Sequence, residues 1–323
     1  MSLTPIHSST LKGALLGRGY TCEEFRLDSR RYRQYRSPGS RVMITKGMYY
    51  DYPFVSATTR QVSKNKLMSY EFAQMNGVSI PATLQTADLK EATQFLERYK
   101  CVVVKPLAGG GSRGLTLDIV TPRELEPALE LANRNGHSSL IQEQFAGEEL
   151  RFTILKGVVR SVILRQSPRV VGDGHRGVHE LIDAENSDRK KLSFPLLVYP
   201  QLDESNVDSA QFKRRDIVPA GEVIELSKTT MIGKGASFYG VTDTVHKSYI
   251  AIAERLAHRL NPAMLIVDLM MKDYTLPATD SNYIFLEFNT APGLAIYSSL
   301  RAGDQPDVIK MLADMIDEYV AIY

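Results

Sequence analysis

From about residue 63 to the end of the chain, apolar positions alternate between helical and extended spacing; residues 1–62 are rich in Arg and Tyr and carry no long periodic segment. "SKNKLMSYEFAQMNGVSIP" (63–81) predicts one helix closed by Gly77, then an extended run into Pro81. "LKEATQFLERY" predicts a second helix, and the β-branched "CVVVKP" a strand that ends in Lys105. In "TPRELEPALELANRNG", Thr121 is placed as N-cap, Pro122 at the first helical position, Glu124 to complete a capping box, and Gly136 as the stop. Strands are expected at "SLIQEQF", "RFTILK", "VVRSVILRQ", "AMLIVDLMM" and "YIFLEF". Helices are expected at "GVHELIDAEN", near residues 201–210 and over "PDVIKMLADMIDEYV". Val245, Tyr249, Ile252, Leu256 and Leu260 recur at helical spacing and read as core packing. The mixture, with antiparallel hairpins, defines an α+β class.

Composition narrows this picture. The length of 323 residues suits two domains or one domain with lobes. A formal charge of +2 gives no reason to expect a nucleic-acid or anionic-membrane partner. The interleaved "DSRRYRQYR" therefore reads as a solvated face rather than a stacking platform. The longest apolar runs fall short of the roughly 20 residues of a spanning helix, and no signal-peptide pattern opens the chain. Two cysteines, Cys22 and Cys101, cannot build a disulfide framework and fit a cytoplasmic protein. The six His residues form no metal-ligand pattern.

Three stretches carry candidate chemistry. In "FLEFNTAPGL", period-two alternation puts Phe285, Glu287 and Asn289 on one face and Ile284, Leu286 and Phe288 on the other. In "MLIVDLMM", Asp268 sits in a strand that is apolar on both faces, where an ionised carboxylate needs a cation. That cation could be a metal shared with Glu287 and Asn289, for which three oxygen donors suit Mg²⁺, or a basic side chain such as Lys272. "KPLAGGGSRGL" places Lys105 before consecutive glycines whose backbone can approach phosphate oxygens, yet it matches neither a Walker A loop nor a Rossmann fingerprint. Between these stretches, "IQEQFAGEELRF" reads as a hairpin turning at Gly147, with Glu143 and Glu149 on either side.

In this order, and together with "ILRQSPRVVGDGHRGVHELIDAEN" and "VPAGEVIELSKTTMIGKGASFYGVTDTVHKSYIAIAERLA", these stretches resemble the ATP-grasp superfamily, in particular the ATP-grasp modules of cyanophycin synthetases and bifunctional glutathione synthetases. The resemblance runs from about residue 63 to the end. It implies an ATP-grasp fold of two α+β lobes clasping a nucleotide. Residues 1–62 would form a short N-terminal domain and 63–323 the ATP-grasp domain, with a nucleotide-clamping part at about 98–150 and a metal and substrate part at about 151–323.

By this resemblance Lys66 and Lys105 hold ATP phosphates, and Gly109, Gly110, Gly111 and Ser112 form the loop that closes over them. Glu143, Gln144 and Phe145 are the hinge whose backbone reads adenine, and Glu149 binds ribose. Asp268, Glu287 and Asn289 are the ligands of Mg²⁺ or Mn²⁺. Arg151, Arg165 and Lys228 are the catalytic basic residues, and Gly293 and Ser298 line the acceptor pocket. The resembling proteins carry Arg, Asn and Asn where this chain has Lys228, Thr229 and Met231. The implied activity is ATP-dependent joining of an amino-acid or peptide carboxylate to an amine through an acyl phosphate. A small-molecule kinase and a non-catalytic nucleotide-binding module are the alternatives, and a homodimer is an open assembly.

Overall fold

The computed structural model of the chain describes residues 4–46, 52, 54–107, 114–134, 139–192, 199–213 and 216–322. Contacts divide the chain into two compact units, each drawn from separated segments. One comprises Met1–Val55, Arg160–Asp243 and Ala291–Tyr323; the other comprises Ser56–Val159 and Thr244–Thr290. Both units draw on the 151–323 segment.

The Ser56–Val159 and Thr244–Thr290 unit holds two antiparallel sheets. In the first, Thr83–Thr86, Ser139–Glu143, Val102–Pro106 and Thr116–Ile119 lie side by side in that order. Helices Leu89–Tyr99 and Pro122–Asn133 supply Ala92, Leu96, Leu125, Ala128, Leu129 and Ala132 to one core with Val102, Val104, Ile119 and Ile141. The helix starts follow from their caps. The Asp88 carboxylate accepts from Glu91 N at 2.9 Å, and the Glu124 carboxylate accepts from Thr121 N at 2.9 Å. The expected stop at Gly136 lies outside the described residues.

The second layer runs Tyr283–Asn289, Met264–Met271, Glu148–Leu155, all antiparallel. Helix Lys247–Leu260 buries Tyr249, Ile252 and Leu256, as their spacing implies. The single helix expected over 63–77 is instead two, Ala57–Lys64 and Lys66–Met75. Asn65 breaks it: its backbone is extended, and its side-chain oxygen accepts from Leu67 N and Met68 N. An amide that satisfies the orphan N–H groups of a new first turn starts a helix rather than continuing one.

In the other unit the unpatterned N-terminus folds after all. Helix Thr4–Gly17 buries Leu11 and Leu15, and Thr21–Leu27, Arg30–Arg36 and Val42–Lys46 form a three-stranded antiparallel sheet. "DSRRYRQYR" is the turn and second strand of that sheet, with Asp28 and Ser29 at positive φ and Tyr35 fully buried. Elsewhere in this unit Ser237–Gly240 pairs antiparallel with Val158–Gln166 and parallel with Leu300–Gly303. Helix Val178–Lys191 packs Val178, Leu181 and Ile182 on Val170 and Ile224 of a small two-stranded ladder. The helix expected near 201–210 is confined to Ser209–Lys213. Before it, Asp203 accepts from Ser205 N at 2.8 Å and Asn206 accepts from Asp203 N at 3.0 Å. Such short polar side chains compete with helical backbone bonding and leave a turn. The last helix, Val308–Ile322, holds Arg18 through Asp314 and Asp317. No helix among the described residues is long and apolar enough to cross a membrane.

Candidate active site

The site in the Ser56–Val159 and Thr244–Thr290 unit begins with register. Asp268 lies opposite Arg151 on one side and Glu287 on the other, so three charged residues form a row across three strands. Neighbouring positions on the same face are Glu149, opposite Met270, and Asn289, opposite Ile266. Asp268 is 1% exposed. Its two oxygens accept from Arg151 Nε at 2.9 Å and Nη2 at 2.6 Å. The buried aspartate thus takes a bidentate guanidinium partner, the geometry in which Arg pairs most strongly. Lys272 is not that partner; its Nζ stands 5.7 Å over the Phe145 ring.

The expected alternation along "FLEFN" does not hold. A β-bulge between the Asp268 and Leu269 pairings leaves Leu286 as an extra residue. Glu287 and Asn289 keep the face of Asp268, while Phe285 and Phe288 both turn to the other side, with ring centroids 4.6 Å apart. Bulges of this kind re-aim side chains, which simple period-two counting cannot register.

Around Glu287 burial and like charge outweigh the two basic side chains that oppose them. Burial pushes its carboxyl above the usual carboxylate range, and Asp268 and Glu149 push it the same way, against Arg151 and Lys66. Lys66, at the first position of its helix because Asn65 caps it, is lowered by burial and by Lys105, and raised by Glu287. Two lysines and two strand carboxylates therefore interact within one unit. Lys105, at the end of Val102–Pro106, donates to Tyr70 Oη at 2.7 Å. Tyr70 was not singled out from the sequence; the available signal was its position four residues after Lys66, on the same helix face.

Glu143, Gln144 and Phe145, expected as the adenine-reading stretch, lie where the expected hairpin turns. Glu143 ends its strand and is exposed, and Gln144 binds Asp118 through both ends of its amide. Gly147 approaches the Met271 backbone so closely that a Cβ would stand 2.6 Å from its carbonyl oxygen. Gly109, Gly110, Gly111 and Ser112 lie outside the described residues. Arg165, Lys228, Gly293 and Ser298 belong to the other unit. There Arg165 donates to the Thr230 carbonyl at 3.1 Å, Lys228 and Ser298 are exposed, and Gly293 precedes a short 3₁₀ turn.

Among the described residues no three His, Cys, Asp or Glu side chains form a metal-holding group. Asp268, Glu287 and Asn289 nevertheless form an all-oxygen set on one face, with the Glu287 carboxyl under like-charge pressure. That donor chemistry fits a hard divalent cation completed by phosphate oxygens.

The chain is 27% identical over 234 residues to the cyanophycin synthetase of Trichormus variabilis, covering 71% of this chain and 26% of that protein. It is 26% identical over 266 residues to the glutathione biosynthesis bifunctional protein GshAB of Streptococcus mutans, covering 79% of this chain and 35% of that one. The chain thus spans about a quarter to a third of the length of these curated relatives. The crystal structure of a bifunctional glutathione synthetase from Pasteurella multocida matches with a TM-score of 0.69 and 21% identity, over 97% of this chain and 44% of that one. No protein-family model matches. The fold is the ATP-grasp fold. The chain's homologues, cyanophycin synthetase and GshAB, are ATP-grasp ligases.

Proposed function

We propose that this chain is an ATP-dependent ligase that joins the carboxylate of an amino acid or small peptide to an amine. The observation that carries the reading is the convergence of Lys66 and Lys105 with Asp268 and Glu287 in one unit. Cations of this kind suit the β- and γ-phosphates of a nucleotide, where phosphoryl transfer depends mostly on positioning and electrostatics. Asp268, Glu287 and Asn289 would hold Mg²⁺ or Mn²⁺, which supplies charge neutralisation between phosphates when bound. Glu143 to Phe145 would read adenine and Glu149 ribose. Gly109 to Ser112 would cover the phosphates. Arg165 and Lys228 would bind the carboxylate side, with Gly293 and Ser298 at the acceptor pocket. Arg151 acts through Asp268, whose carboxylate it orients.

The reaction needs no side-chain nucleophile. The substrate carboxylate attacks the γ-phosphorus, ADP leaves, and the amine then displaces phosphate from the acyl phosphate. The test is product analysis with pooled amino acids. ADP and phosphate are expected, with one ¹⁸O passing from labelled carboxylate into phosphate and hydroxylamine trapping a hydroxamate. AMP and pyrophosphate would overturn the mechanism, a stable phosphorylated alcohol would show a kinase, and binding without turnover a non-catalytic module.

A further inference from the structure

Tyr70 has no role in the chemistry described so far, yet it is 2% exposed and carries a hydroxyl that meets the Lys105 ammonium. Its Oη accepts from Lys105 Nζ at 2.7 Å and donates to Gln142 Oε1 at 3.3 Å. Gln142 Nε2 in turn donates to Thr83 Oγ1 at 2.7 Å, and Thr83 donates to the Pro81 carbonyl at 2.8 Å. The ring is fixed edge-on against Phe285, with centroids 6.1 Å apart. The Lys105 ammonium also lies 5.3 Å from the Tyr70 ring centroid.

We infer that Tyr70 is a positioning residue for Lys105, selecting for phosphate-bearing ligands by fixing where the ammonium points. An ammonium has three N–H donors on a flexible four-carbon stem. With one donor anchored on a buried hydroxyl, two remain for phosphate oxygens, and much of the rotamer freedom a free lysine would lose on binding is already gone. The anchor does not drift, because Gln142 and Thr83 tie the hydroxyl to two neighbouring strands of one sheet. Helix Lys66–Met75 brings Tyr70 under the same face as Lys66, four residues earlier, so one helix face serves both lysines. This inference rests on the nucleotide-binding reading above.

The test is calorimetric titration of the full chain with MgADP and, separately, with adenosine. Wild-type binding of MgADP tests the functional reading itself; its absence would sink that reading, and the inference with it. Given binding, Tyr70→Phe keeps the ring against Phe285 and removes only the hydroxyl. The expected result is about tenfold weaker MgADP binding, as for a lost hydrogen bond to a charged group, with adenosine affinity unchanged. In a Lys105→Gln background the same substitution should change MgADP affinity by less than about twofold. Equal weakening in both backgrounds, or parallel loss of adenosine binding, would show a merely structural tyrosine and overturn the inference. If Tyr70→Phe does not fold, Gln142→Met carries the test, with about threefold weaker MgADP binding expected in the wild-type background alone. No such weakening would overturn the inference.

Discussion

Arg151 and Asp268 face one another across adjacent strands and share two hydrogen bonds in a place where neither meets much water. The pair gives a cationic partner to a carboxylate at the centre of an apolar strand, and it orients that carboxylate beside Glu287. Removing the arginine leaves a buried charge opposite another acid. Arg151→Met should therefore cost about 3–5 kcal/mol in urea unfolding. In combination with Asp268→Asn the loss should be clearly smaller than the sum of the two single substitutions. Additive losses would show that the two residues act separately.

Glu287→Gln separates stability from chemistry. The substitution keeps volume and removes a charge that burial, Asp268 and Glu149 all disfavour. Folding stability should fall less with rising pH than in wild type, because a carboxyl raised in the folded state loses stability as pH climbs above its unfolded value and the amide does not titrate. ADP release should fall by at least about a hundredfold, the scale on which lost transition-state electrostatics act. Melting curves across the acidic to neutral range and an ADP assay on the same preparation check both parts; an active variant whose stability falls with pH as steeply as wild type would contradict both.

Tyr199 sets an alkaline limit in the other unit. Burial pushes its phenol up to about 12, and its hydroxyl donates to the Ser299 carbonyl at 3.3 Å. The folded value lies above the unfolded value of about 10. The unfolded chain therefore releases this proton first, and the contribution to stability, present below pH 10, is lost as pH rises toward 12. Urea midpoints measured from pH 9 to 12 should fall less steeply for Tyr199→Phe than for wild type. Parallel slopes would exclude Tyr199 as the titrating group.

Gly147 is a close-approach glycine, and Gly13 provides its control. A Cβ at Gly147 meets the Met271 carbonyl, whereas one at Gly13, inside helix Thr4–Gly17, meets nothing within 4 Å. Gly147→Ala should destabilise by about 1–3 kcal/mol. Gly13→Ala should stabilise by about 0.5–1 kcal/mol through helix propensity. The two thermal midpoints should move in opposite directions.

What the sequence made legible follows from which signals are local. Periodicity marked the 89–99 and 247–260 helices and a capping box the 122–133 helix, because Glu124 and the Tyr249–Ile252–Leu256 stripe act within one or two turns. The N-terminal sheet escaped because one of its core residues, Tyr35, sits between Gln34 and Arg36 in an arginine-rich strand that hides the alternation. Asn65 looked like one more polar position in a helix, and only its side-chain bonds to Leu67 and Met68 reveal a boundary. At the site, Asp268 announced its need for a cation, but its pairing with Arg151 lies 117 residues away in sequence and depends on register. Tyr70 offered only its spacing from Lys66, since a buried tyrosine hydroxyl takes its meaning from its partners.

The extra residue at Leu286 is a phase shift written into a single strand. On its two sides the strand obeys opposite odd–even rules, and this lets two phenylalanines three positions apart share the apolar side while Glu287 and Asn289 face Asp268. Deleting Leu286 would restore one rule throughout, so that either the phenylalanine upstream or the acid downstream would have to exchange its surroundings for the other's. The segment therefore tolerates a change of residue at position 286 far better than a change of length.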